Sequence, residues 1–177
     1  MAGVHKRTKA RASALAVLYS SDITDQDAQV LVDEGRYPAE DFEFPEYAEA
    51  LVRGVAAHVD EIDDRLDGAS ENWAVDRMPV VDRALLRMAV YEMFYVDDVP
   101  VSVTINEAVE LAKSFGGEDD SPRFVNGVLG RIARGMEGVD EADLPAEDLA
   151  DDVAEAADVA AAADDAESDA PATEDGE

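Results

Sequence analysis

Residues 79–95 read PVVDRALLRMAVYEMFY, and this stretch decides the fold class. Val81, Leu85, Ala89 and Phe94 recur at helical spacing on one side, and no two-residue alternation competes with that period. Pro79 suits an opening turn, because its missing N–H has no partner there in any helix. The Val99-Pro100 step then breaks the chain, since a residue before proline is pushed out of the helical region.

The same period extends in both directions. Upstream, a first helix is expected over 6–21, with Ala14, Leu15 and Leu18 on one face. A short helix capped by Thr24 runs to Gly35, and residues 36–44 read as a loop. From Pro45, the residues Tyr47, Leu51, Val55, Val59, Ile62 and Leu66 predict one long helix or two in series, stopped by Gly68. Trp73 lies in or near another short helix. Downstream, Ile105, Val109 and Ala112 predict a helix over 102–115 ended by Gly116-Gly117, and Ser121-Pro122 predicts a cap and first turn for a last helix over 122–135. No β-alternation is convincing anywhere, so the fold class is all-α.

Composition narrows the function. The chain has 177 residues and no cysteine, which excludes disulfides and thiolate metal sites. No window approaches a membrane span and the opening residues do not form a signal peptide, so a cytoplasmic protein is expected. The formal net charge is −29, which alone argues against nucleic acid. Its distribution does not. Residues 1–21 carry Lys6, Arg7, Lys9 and Arg11 and no acid; residues 121–136 carry Arg123, Arg131 and Arg134 and no acid. Residues 137–177 carry 17 acids, no base and no aromatic ring, and are expected to be a disordered tail following a folded domain over 1–136.

Two basic windows therefore flank an acidic middle. In the last helix Val125, Val128, Leu129 and Ile132 form the core stripe, and Phe124 sits about 100° from its centre. Phe124 is then either core or an edge residue with one ring face open to solvent, beside Arg123 and Arg131. An aromatic ring with arginines at a helix N-terminus suits a phosphate and a stacked base. In the first helix Arg7 and Arg11 share the face of Ala14, Leu15 and Leu18 but lie one to two turns earlier, so the helix is expected to overhang the core and offer these cations outward. Asp63, Asp64 and Asp67 match a magnesium-holding DDxxD spacing, a coincidence expected in a chain with 43 acids. The two histidines, His5 and His58, have no nucleophile partner, and no phosphate-binding glycine loop occurs. No enzyme and no cofactor are expected.

Four segments together resemble the NusB transcription antitermination family: KARASALAVLY at 9–19, PVVDRALLRMAVY at 79–91, INEAVELAKSFG at 105–116 and DSPRFVNGVL at 120–129. Leu51-Val52-Arg53-Gly54-Val55 fits as well, and the likeness covers roughly 5–134. The resemblance implies about seven helices in two small packed bundles. It implies binding of boxA RNA from ribosomal RNA operon leaders, with the ribosomal protein NusE, in an antitermination complex on RNA polymerase. It assigns Lys6, Arg7, Lys9 and Arg11 to phosphates, Phe124 to a stacked base with Arg123 and Arg131 beside it, and Asp76 and Asp82 to the partner protein. It leaves monomer and homodimer open. The loop at 116–124, GGEDDSPRF, carries one acid more than the common pattern, and Asp119 or Asp120 would weaken a nearby phosphate contact. The rival reading is an acidic adaptor that binds protein and ignores RNA.

Seventeen acids tethered beside a basic face would compete with RNA at an effective concentration of about millimolar. Removing the residues after Gly135 is therefore expected to tighten RNA binding in a shift titration. Equal affinity would leave the tail as a solubiliser only.

Overall fold

The computed structural model describes residues 2–70, 73–116, 120–136 and 144. The expected tail disorder, the boundary at 137 and the role given to Asp119 lie outside these residues. The elements are α1 (Ala2–Thr24), α2 (Ala28–Asp33), α3 (Glu46–Ala57), α4 (Val59–Ala69), a single 3₁₀ turn (Val75–Arg77), α5 (Val80–Tyr95), α6 (Val101–Phe115) and α7 (Ser121–Arg134). Among the described residues there is no strand. No described helix is long and apolar enough to cross a membrane.

Several stop signals act differently from their expected roles. Thr24 does not cap α2; its hydroxyl donates back to the Ser20 carbonyl, and the Asp27 carboxylate caps by accepting from Gln29 N–H at 2.7 Å. Gly68 lies inside α4, which continues to Ala69. Gly35 does stop α2: its φ is +63°, and the Gly35 and Arg36 amides donate to the Val32 and Leu31 carbonyls, closing a left-handed cap. The apolar run from 46 to 69 is two helices in series, broken at His58.

α5 organises the molecule. α1, α2 and α3 pack together on one side of it, and α4, α6 and α7 on the other. One continuous core joins the two groups, with Leu51, Ile62, Leu66, Leu85, Leu86, Ile105 and Leu129 fully buried. Each such side chain contributes about 1.5–3 kcal/mol relative to exposure.

Named contacts fix the directions. Asp22 near the end of α1 meets Arg83 and Arg87 near the start of α5, while Arg11 meets Glu92 near its end, so α1 and α5 are antiparallel. Thr104 in the first turn of α6 bonds to Glu92, so α6 runs back along α5. Ser121 then bonds to Asp82, which starts α7 beside the first turn of α5.

Gly54 is where α3 crosses α5. A Cβ there would fall 1.9 Å from the Tyr91 ring, itself stacked on Tyr95 with centroids 5.2 Å apart. Gly54→Ala is expected to lower stability by about 1–3 kcal/mol in urea denaturation. An unchanged midpoint would mean that the Tyr91 ring turns aside without strain.

Candidate nucleic-acid interface

α1 is helical because Ala10, Ala14, Leu15, Val17 and Leu18 bury one face. Ahead of them, Lys6 and Lys9 are exposed and Arg7 is half-exposed, as expected of cations that overhang a core.

Arg11 departs from that expectation. It is only 4 % exposed, because it continues the stripe of Ala14, Leu15 and Leu18, and the far ends of α5 and α6 still cover the helix at that turn. Its Nε donates to Glu92 Oε1 at 2.9 Å, and its Nη1 to Glu107 Oε2 at 3.0 Å. Glu92 is 1 % exposed and also accepts from the Tyr47 hydroxyl at 2.5 Å and the Thr104 hydroxyl at 2.7 Å. Burial first, and then the bond to Glu92, push the Tyr47 phenol well above its ordinary range, so it stays a donor. The network ties α1, α3, α5 and α6 together and takes Arg11 out of the phosphate-contacting set.

Arg7 lies at the surface of the same network. Its guanidinium carbon is 4.7 Å from the Tyr47 ring centroid, and its Nη2 donates to Asp98 Oδ2 at 2.5 Å. The Asp98 bond raises the Arg7 pKa, and the same bond holds the Asp98 carboxyl below its usual range.

The second basic window is also rearranged. Phe124 is 9 % exposed, with its ring 5.9 Å from that of the half-buried Trp73. The expected solvent-facing ring is therefore corrected: Trp73 covers Phe124, and Phe124 fastens the first turn of α7 to the core. Arg123 is exposed. Arg131 Nη1 donates to the Ala69 carbonyl at 2.7 Å, at the C-terminal end of α4, where a cation is electrostatically favoured.

The two acids expected at a partner surface separate. Asp76 is exposed on the 3₁₀ turn. Asp82 is 4 % exposed and accepts a short hydrogen bond from Ser121, so it cannot face a partner and instead positions the start of α7. Ser121 is thus not the helix cap; its hydroxyl is turned inward to Asp82. The DDxxD aspartates are dispersed as well: Asp63 pairs with Arg87 at 2.7 Å, and Asp67 accepts from Val75 N–H at 2.9 Å.

Lys6, Arg7 and Lys9 therefore sit toward the C-terminal end of α5, and Arg123 toward its N-terminal end. The rise of α5 from Asp82 to Glu92 sets their separation along its axis at about 15 Å. Glu92, Tyr47, Asp98 and Trp73 are the residues that sequence reasoning missed. Glu92 alone left a signal, as a charge between Ala89 and Met93 on an apolar helix, where burial demands a partner.

The NusB family model matches residues 8–134. The chain is 51% identical to the transcription antitermination protein NusB of Rubrobacter xylanophilus over 123 residues, which is 70% of this chain and 86% of that protein. It is 50% identical to the NusB of an Anaeromyxobacter species, covering 74% and 92% of the two chains. Among solved structures, T. maritima NusB is 33% identical with a TM-score of 0.63, covering 77% of this chain and 95% of that one. A structure of antitermination factors NusB and NusE with double-stranded RNA contains a chain that is 27% identical with a TM-score of 0.59, covering 73% and 97%.

Arg11→Ala would strand Glu92 as an unpaired buried carboxylate, a loss of about 3–5 kcal/mol. Lys9→Ala, at an exposed site, is expected to stay within about 0.5 kcal/mol of the parent. Chemical denaturation of the two variants checks this; equal stabilities would contradict the structural role of Arg11.

Proposed function

The chain belongs to the NusB family, and from that premise we propose that it is a transcription antitermination factor that holds boxA RNA and the ribosomal protein NusE together on elongating RNA polymerase. The observation that carries the reading is the match over 8–134, with half the residues identical to named antitermination proteins. The solved complex of NusB with NusE and RNA supports the two partners.

The mechanism is recruitment. Lys6, Arg7 and Lys9 on the exposed start of α1 bind RNA phosphates, and Arg123 adds a further phosphate contact at the other end of α5. Trp73, half-buried over Phe124, supplies the aromatic surface near Arg123. The acidic body, Asp76 included, faces the basic ribosomal protein; complementary charge speeds encounter and suppresses wrong partners. Tyr19 and Ile23 support a protein partner on α1 itself, being exposed apolar residues one turn apart. Lys9 and Ile23 lie about 21 Å apart along the helix, enough for RNA and protein to be held at once.

With about four phosphate contacts, RNA affinity should fall with a log–log salt slope near −3 for a single strand. Titration with single-stranded boxA RNA, a duplex of the same length, NusE, and RNA with NusE together tests the reading. Salt-dependent RNA binding strengthened by NusE is expected. NusE binding with no RNA affinity at any salt would make the protein an acidic adaptor instead.

A further inference from the structure

Arg7 is held by two groups of opposite character. One is the Tyr47 ring, 4.7 Å from the guanidinium carbon. That ring is fixed from behind, because its hydroxyl donates to Glu92, which Arg11 and Thr104 also hold in the buried interior. The other is Asp98, in the turn between α5 and α6, whose side chain is 66% exposed. Among the described residues the side-chain partner of Asp98 is Arg7, itself at the surface. Arg7 thus lies on a rigid aromatic platform with its polar edge turned to a replaceable carboxylate. Lys6 and Lys9 stand exposed on either side of it in sequence.

We propose that Arg7, on the Tyr47 ring, forms a subsite for one RNA phosphate, and that the Asp98 carboxylate occupies the phosphate's place until RNA displaces it. A carboxylate and a phosphate both offer paired acceptor oxygens to a guanidinium, so one can substitute for the other without reorienting the arginine. The exposed Arg7–Asp98 pair adds little to folding, which makes its exchange cheap. The Asp98 charge also repels an approaching strand, so weak anions are turned away while a strand with several phosphates gains enough from Lys6 and Lys9 to enter. Tyr47 is then a positioning residue for RNA binding and Asp98 an internal competitor. This rests on the RNA-binding reading above.

The test uses the full chain and Asp98→Asn, at an exposed position outside the core. Single-stranded boxA RNA is expected to bind about two- to five-fold more tightly to the variant, the gain expected from freeing one exposed pair. Tyr47→Phe keeps the ring but removes the hydroxyl bond to Glu92 that fixes it, so RNA binding should weaken less than in Tyr47→Leu, which removes the ring as well. In parallel, the Arg7 Nε–Hε signal is followed by NMR during titration with inorganic phosphate; its midpoint should move to lower phosphate in Asp98→Asn. Unchanged or weaker RNA binding by Asp98→Asn would overturn the proposal. If the parent binds no RNA, the functional reading fails, and the phosphate titration still decides the subsite: identical midpoints for parent and variant overturn it.

Discussion

The buried Arg11–Glu92 pair is the constraint on which the arrangement depends. Both side chains are almost fully enclosed, and an isolated charge in such a place is strongly disfavoured. The pair is tolerated because Arg11 Nη1 also donates to Glu107, and both Glu92 oxygens accept a further bond, from Tyr47 and from Thr104. The pair and these partners together come from four helices, so the network fixes the register of α1 against α3, α5 and α6. The cations of α1 before Arg11, namely Lys6, Arg7 and Lys9, are thereby set at the edge of the core, with Lys6 and Lys9 exposed. The cations proposed to bind RNA and the charge used for folding belong to one basic run, with Arg7 one helical turn before Arg11.

A second polar cluster plays the matching role at the other end of α5. Asp22 is shared by Arg83 and Arg87, and Arg87 is also held by Asp63. Burial works against the charge of Arg87, but Asp63 and Asp22 more than offset it and raise its pKa. Asp82 and Ser121 complete that end by seating α7. The acidic excess of the chain is therefore not uniform solvated charge. Part of it serves as counterions that dock helices.

Much of this was legible in the residues. Periodicity and proline positions placed the helices to within a few residues, because amphipathic stripes such as Leu51, Val55, Ile62 and Leu66 have no competing reading. The charge windows at Lys6–Arg11 and Arg123–Arg134 located the basic segments for the same reason. The depth of individual side chains was not legible. Arg11 and Arg7 share a helix face, and only the lengths of α5 and α6 determine which of them is covered. Phe124 sits at a stripe edge whose exposure depends on Trp73, a residue distant in sequence. Asp82 and Asp76 look alike as acids near a helix start, yet the Ser121 hydroxyl turns one inward. The match to the family added partners and an RNA class that no pattern of charge or spacing contains.

The most direct measurement is a structure of the protein with single-stranded boxA RNA bound. Phosphates within hydrogen-bonding distance of Lys6, Arg7 and Lys9, with Arg11 still engaged by Glu92 at about its present 2.9 Å, are the expected result. An Arg11 side chain withdrawn from Glu92 to meet the RNA, or RNA seated away from the start of α1, would contradict the division of that basic run into folding and binding charges.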